Sequence, residues 1–262
     1  MSRSIRLGFL LAVTTAGGLG VGGARADIIG FGGNGAGYTF NSNGTAATAS
    51  ADVLTLTDNG GSEARTVFFN TAQDIRNFTV SFVYTPSGDR AADGVAFVIQ
   101  NDPTGVNAIG TTGGGLGYGG ITPSVALELN LYSPNTIGTS VQANGATNPS
   151  GGYTPSTPVV LAGGDPIKVD ITYSAMTVNY ALTDQTTNDV YTSGPTSADI
   201  AGILGATTGF VGFTGGTGGA VATQTISNFT FTVTPVPEPA SVVLLGLGAV
   251  GLIACLRRRR AR

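Results

Sequence analysis

Apolar and polar residues alternate one for one in several stretches of this chain. Phe78, Val80, Phe82 and Tyr84 alternate with Asn77, Thr79 and Ser81. Val169, Ile171 and Tyr173 alternate with Lys168, Asp170 and Thr172, and Val178, Tyr180 and Leu182 with Thr177, Asn179 and Ala181. Phe229, Phe231 and Val233 alternate with Asn228, Thr230 and Thr232. A period of two places successive side chains on opposite faces of a strand, which predicts an antiparallel sheet with one buried and one solvated side. Val95–Ile99 and Val125–Leu129 are almost continuously apolar and predict central strands covered on both faces. No stretch between the two ends of the chain has the 3.6-residue period of an amphipathic helix. Turn residues separate the runs at Asp58-Asn59-Gly60-Gly61, Pro86-Ser87-Gly88-Asp89 and Asp184 to Asn188. Gly113–Gly120, Gly138–Pro158 and Thr214–Gly219 are glycine-rich and polar and are predicted as surface loops, while Gly30–Gly37 reads either as a flexible entry or as the loop leading into the first strand. Many short strands, large loops and no helices define an all-β antiparallel sandwich.

Both ends of the chain break this pattern. Arg3 and Arg6 precede the apolar stretch Leu7–Val13, and Ala24-Arg25-Ala26 is a small-x-small cleavage signal. Residues 1–26 therefore read as a signal peptide, with the mature chain beginning near Asp27. At the other end, an uncharged, mostly apolar run from Ala240 to Leu256 would rise roughly 25 Å as a helix, near the lower limit for spanning a bilayer core. Arg257, Arg258, Arg259 and Arg260 follow it and hold the C-terminus in the cytoplasm. The domain organisation is then 1–26 signal peptide, 27–235 β-sandwich, and 236–262 tail with a single transmembrane helix at 240–256. The tail, with Pro237, Glu238 and Pro239 before the apolar run and the arginines behind it, resembles the PEP-CTERM sorting signal. Such proteins come from Gram-negative bacteria that make extracellular polysaccharide. The resemblance implies export, anchoring at first in the inner membrane by the C-terminal helix, and processing by an exosortase-type membrane protease at or near the outer surface.

Charge narrows the partners of the exported part. The whole chain carries a formal charge of −3, but eight of its twelve basic residues lie in the targeting ends. Between Asp27 and Val236 the four cations Arg65, Arg76, Arg90 and Lys168 face fourteen acids, a balance of −10. Such a surface does not bind nucleic acid by charge, because phosphate neutralisation needs lysine and arginine. The single cysteine, Cys255, lies in the apolar tail, so no disulfide closes the exported domain. The chain has no histidine, which excludes Ser-His-Asp triads, Cys-His pairs and His-ligated zinc.

Three stretches, in order, resemble the legume-type (L-type) lectin domain. They are Ala92–Ile99, then Gly113–Gly117 followed by Ser124–Tyr132, then Phe210–Gly219 leading into Ile226–Val233. The resemblance implies a concanavalin-like jelly-roll sandwich and a carbohydrate site. In the family a buried aspartate accepts bonds from two sugar hydroxyls, a glycine-loop N–H and an asparagine donate, and an aromatic ring packs on the sugar. A fixed carboxylate suits paired hydroxyls because charge-assisted bonds are short and strong. Here Asp93 matches the aspartate, Gly114 or Gly115 the loop, and Asn135 the asparagine, while Tyr118 and Tyr132 are candidate platforms.

The family's metal pattern is only partly kept. Glu128 matches the glutamate of its Glu-x-Asp pair, but Asn130 replaces the aspartate, Tyr132 offers only a carbonyl, and no acid lies between Asn135 and Gly164. Divalent ions rely on several carboxylates to replace lost hydration, so the transition ion is expected to be absent. The pattern leaves room for weak Ca²⁺ binding through Glu128, Asn130 and Tyr132, and for no certain cofactor. As a structural residue, Glu128 would instead pair with one of the four cations. Because the family's ions brace its sugar loop, their loss favours an alternative in which the sandwich persists as a structural matrix or surface protein. An enzyme is not expected: glycosidases of this architecture need two carboxylates at alternate strand positions, and none follows Glu128 at 129–134. The reading is a non-catalytic, lectin-like protein for extracellular polysaccharide or surface glycans.

Overall fold

A computed structural model describes residues 27–147 and 152–234. In chain order its strands begin with β1 (Ile28–Ile29), β2 (Tyr38–Ser42), β3 (Thr48–Ser50), β4 (Val53–Asp58) and β5 (Ala64–Phe69). They continue with β6 (Gln73–Asp74), β7 (Phe78–Ser87), β8 (Gly94–Gln100), β9 (Ser124–Asn130) and β10 (Gly138–Ala143). The last are β11 (Ile167–Ser174), β12 (Thr177–Asp184), β13 (Val190–Thr192), β14 (Thr196–Ser197), β15 (Thr208–Gly216) and β16 (Thr223–Val233). They form two antiparallel sheets. The back sheet runs β13-β12-β11-β7-β16-β4-β3, and the front sheet β10-β9-β8-β15-β5-β2. This is the all-β sandwich predicted from the alternation.

The predicted faces are the ones buried. Phe78, Val80, Phe82 and Tyr84 on β7 face the core, as do Val169, Ile171 and Tyr173 on β11 and Phe229 and Phe231 on β16. A cluster of aromatic rings fills the centre. Phe213 meets Phe229 edge-on at 4.9 Å, Phe82 at 5.0 Å and Phe97 at 5.6 Å, contacts favoured by the ring quadrupole. Every residue of β8 and of β9 is buried, as the continuous apolar runs predict. Their second face is covered by the chain from Ala108 to Ile121, which lays Tyr118 and Ile121 over Phe68, Ala96, Val98 and Ala126.

Three expectations change. Gly138–Ala143 is strand β10, hydrogen-bonded to β9 from Gly138↔Asn130 to Ala143↔Val125, and Thr214–Gly216 is the end of β15. Gly113–Gly115 is a turn of 3-10 helix. A five-residue helix, α1 (Ile200–Leu204), also appears, capped by Asp199, which accepts from the Gly202 N–H at 2.9 Å, and ended by Gly205 in the left-handed region. It is too short to show a helical period. Among the described residues no helix is long and apolar enough to cross a membrane. The signal peptide at 1–26 and the apolar run at 240–256 lie outside the described residues.

The topology gives the body two poles. The starts of β5 and β8 and the ends of β4, β7, β9 and β15 meet at one, which carries Asp93. The final strand begins beside that pole and pairs with β7 along its length, from Thr223↔Ser87 to Val233↔Phe78. At about 3.3 Å per residue it crosses roughly 35 Å of the sandwich, and the Thr234 N–H then donates to the Asn77 carbonyl at 3.0 Å at the opposite pole.

Candidate functional site

Asp93 occupies the turn into β8. The Ala92–Asp93 peptide is cis. The Asp93 N–H donates to the Gly216 carbonyl at 3.1 Å, and its carbonyl accepts from the Leu131 N–H at 2.8 Å. These bonds tie it to the ends of β15 and β9 at once. The next residue must be glycine: Gly94 has φ +146°, and a Cβ there would lie 2.1 Å from the Leu129 carbonyl oxygen.

Asp93 is 4 % exposed, and its Oδ2 has no hydrogen-bond partner. Two glycines overhang that oxygen; a Cβ would sit 3.7 Å from it on Gly113 and 3.2 Å on Gly218. Burial raises the carboxyl from its ordinary value to about 6, against the opposing pull of the Gly218 N–H. The result is a fixed, poorly hydrated acceptor under two loops that lack Cβ atoms. An unused acceptor in such a place suits a ligand that brings hydroxyl donors.

Of the expected glycines, Gly115 is buried, donates its N–H to the Thr112 carbonyl at 3.0 Å, and has no room for a Cβ, which would lie 2.0 Å from Thr111 Oγ1. Gly114 is half-buried beside Gly113. Asn135 is also half-buried, in the segment joining β9 to β10, where its N–H donates to the Tyr132 carbonyl at 3.0 Å. That segment starts at Leu131, the residue bonded to Asp93. The stretches around 93 and 113 and the start of the 131–135 segment at Leu131 thus meet on one rim. Tyr118 does not belong to it as a platform. Its ring is fully buried and its hydroxyl hydrogen-bonds Ser124 at 2.9 Å. Tyr132 is half-buried in the rim segment.

Glu128 and Asn130 lie at alternate positions of β9 on its outer face, both 0 % exposed. Asn130 Oδ1 has no hydrogen-bond partner. Asn130 Nδ2 donates to the Tyr132 carbonyl at 3.2 Å and the Thr136 carbonyl at 3.0 Å. Burial raises the Glu128 carboxyl to about 8, opposed by the Tyr153 hydroxyl. Among the described residues Glu128 pairs with no cation. Arg65 holds Asp58 and Glu63, Arg76 holds Asp74, Lys168 holds Asp170 at 2.9 Å, and Arg90 donates to the Gly163 carbonyl at 2.5 Å. As a metal centre the set is thin. It offers one carboxylate and one amide oxygen, and the Tyr132 carbonyl is already used by Asn130. Among the described residues no group of three acidic, histidine or cysteine side chains could hold an ion. This donor set does not fit a two-ion centre of a transition metal and calcium.

Sequence reasoning named the stretches 113–117 and 214–219 but missed the individual roles of Thr217 and Gly218 within the second, and the ion cluster behind them. Arg65 is buried and reaches from the front sheet to Asp58 of the back sheet at 2.8 Å and to Glu63 beside it. Its signal was present in the sequence, as one of only four cations in an acidic domain.

The chain matches the Legume lectin domain family over residues 28–243 and therefore belongs to that family. Residues 235–260 match the PEP-CTERM protein-sorting motif. Similar solved structures include a lectin from Bauhinia forficata in complex with GalNAc (18 % identity, TM-score 0.64, covering 80 % of this chain and 98 % of that one). Lectin II from Ulex europaeus is similar at 18 % identity and a TM-score of 0.65, over 80 % of this chain and 99 % of that one. Arcelin-5, a lectin-like defense protein from Phaseolus vulgaris, shares 17 % identity at a TM-score of 0.60, over 76 % and 92 %. At these identities the likeness shows the fold.

Proposed function

We propose that this protein is exported and surface-associated and binds carbohydrate without catalysis, its ligand being extracellular polysaccharide or a surface glycan. The observation that carries the reading is the buried Asp93 carboxylate, with one oxygen unused beneath Gly113 and Gly218. Asp93 would accept from two sugar hydroxyls, the Gly114 N–H and the Asn135 side chain would donate, and Tyr132 would offer a ring. Any Ca²⁺ held by Glu128 and Asn130 would be weak. No second carboxylate stands two positions after Glu128, where a glycosidase of this architecture would need one.

The PEP-CTERM motif supports recognition by an exosortase-type membrane protease. The Ala240–Leu256 segment would anchor the chain in the inner membrane before processing. Because β16 delivers the chain to the pole opposite Asp93, a tail held in or on a membrane would present the rim outward. The thin metal set favours the second reading, a structural matrix protein that keeps the sandwich without the site.

Polysaccharide pull-down and glycan-array binding decide between them, since a structural protein retains nothing in either. The pH dependence is a sharper check. The carboxylate must be charged to accept from two hydroxyls, so affinity should rise through a midpoint near pH 6, where Asp93 ionises. A flat profile from about pH 5 to 8 by calorimetry would remove Asp93 from the site.

A further inference from the structure

Thr217 ties the rim together. It is fully buried. Its Oγ1 accepts from the Glu63 N–H at 3.0 Å and donates to the Gly60 carbonyl at 2.6 Å. Its N–H donates to the Glu63 carbonyl at 3.0 Å, and its carbonyl accepts from the Gly113 N–H at 2.9 Å. The residues on either side extend the knot. The Gly218 carbonyl accepts from the Ser62 N–H at 2.9 Å, and the Gly216 carbonyl accepts from Asp93. The Gly216 carbonyl also accepts from Gln224 Nε2 at 3.3 Å. One side chain therefore joins the turn at 58–63 to the segment that follows β15, while its own backbone holds the stretch at 113–117. Both glycines over Asp93 lie on the segments so joined.

The hydroxyl is saturated in both directions. A valine of the same shape would leave a buried N–H at Glu63 and a half-buried carbonyl at Gly60 unpaired, and such orphans are costly. Behind the knot, Arg65 fixes Glu63 and Asp58. Nothing in this chain of bonds passes through Glu128 or Asn130, the residues of the thin metal set.

We propose that Thr217 is the positioning residue of the rim, and that the rim keeps its geometry without a bound metal ion. That this geometry serves carbohydrate rests on the function proposed above; the brace itself does not.

Hydrogen exchange and polysaccharide binding on the full chain in detergent, each in EDTA and in CaCl₂, test both halves. Thr217→Val should lower the protection of the Gly113 and Ser62 amides by at least about tenfold and weaken polysaccharide binding by about tenfold or more. Thr217→Ser, which keeps the hydroxyl, should retain both within about twofold. Wild-type protection and binding should be the same in EDTA and in CaCl₂. Unchanged protection in Thr217→Val, failure of Thr217→Ser to hold the rim, or a loss in EDTA that Ca²⁺ reverses would each overturn the proposal. If Thr217→Val does not fold, the serine variant and the EDTA comparison decide it. Exchange does not depend on sugar. A wild type that binds no polysaccharide yet shows this exchange pattern would refute the proposed function and uphold the brace.

Discussion

Asp93→Asn should abolish carbohydrate binding while leaving the fold as stable as before, or more so, at pH 8. The two effects part because they come from different states of one carboxylate. Bound to sugar, the charged group accepts from two hydroxyls, and hydrogen bonds to a charged group contribute about 1.5–3 kcal/mol each. The amide offers one weaker acceptor, so a loss near 3 kcal/mol, or about a hundredfold in affinity, is expected. In the free protein the same charge is a burden. The folded carboxyl titrates at about 6 rather than at its ordinary 3.8, because burial disfavours ionisation more than the Gly218 N–H restores it. A carboxyl whose folded value is raised contributes fully to stability below its unfolded value, and that contribution is lost as pH rises through the folded one. Wild type and Asp93→Asn should therefore melt together near pH 4, with the variant equal or higher above pH 6. Calorimetry for affinity and thermal denaturation at both pH values check this. A variant that loses stability at pH 8 together with binding would mark Asp93 as a structural cap at the head of β8.

The strands that bury large side chains were legible because their period is carried by phenylalanine, tyrosine and branched residues with one place to go. The strands missed were those built from small residues. Gly216, at the end of β15, has little space for a side chain: a Cβ would lie 3.0 Å from the Gly113 carbonyl oxygen. At Gly138 a Cβ would lie 2.0 Å from the Thr154 carbonyl oxygen, where an extra segment pairs with β10. Glycine there records close backbone approach to a strand of a sheet, the opposite of the loop its composition suggested. The site divides in the same way. Asp93 was legible through its neighbours Ala92 and Gly94, whereas Thr217 is one threonine among many. Its role follows from four hydrogen bonds to three residues that only the folded topology brings together.

Arg65→Met should be the most damaging substitution away from the carbohydrate groups, and its cost should depend on pH. The guanidinium is 3 % exposed and holds two acids of opposite character. Asp58 is 48 % exposed at its side chain and can rehydrate. Glu63 is buried, and burial first, then its hydrogen bond to Asp58, raises its carboxyl to about 7 even though Arg65 opposes the shift. Removing one partner of a buried ion pair leaves the other uncompensated, at a cost of about 3–5 kcal/mol. At roughly 2–4 °C per kcal/mol for a domain of this size, melting should fall by about 6–20 °C. The raised Glu63 value sets the sign: its stabilising contribution is complete at low pH and is lost as pH rises through 7. Without Arg65 the carboxyl holds its proton still more tightly, so the gap between variant and wild type should be small near pH 5 and widest above pH 8. Adding Glu63→Gln to Arg65→Met should recover much of the loss at high pH by removing the stranded charge. Because Glu63 anchors Thr217 through both its N–H and its carbonyl, the single variant should also weaken carbohydrate binding at pH 8 more than at pH 6.5. A pH-independent loss of melting temperature, or no recovery in the double variant, would show that Arg65 stabilises the pole by packing its aliphatic stem rather than by holding Glu63.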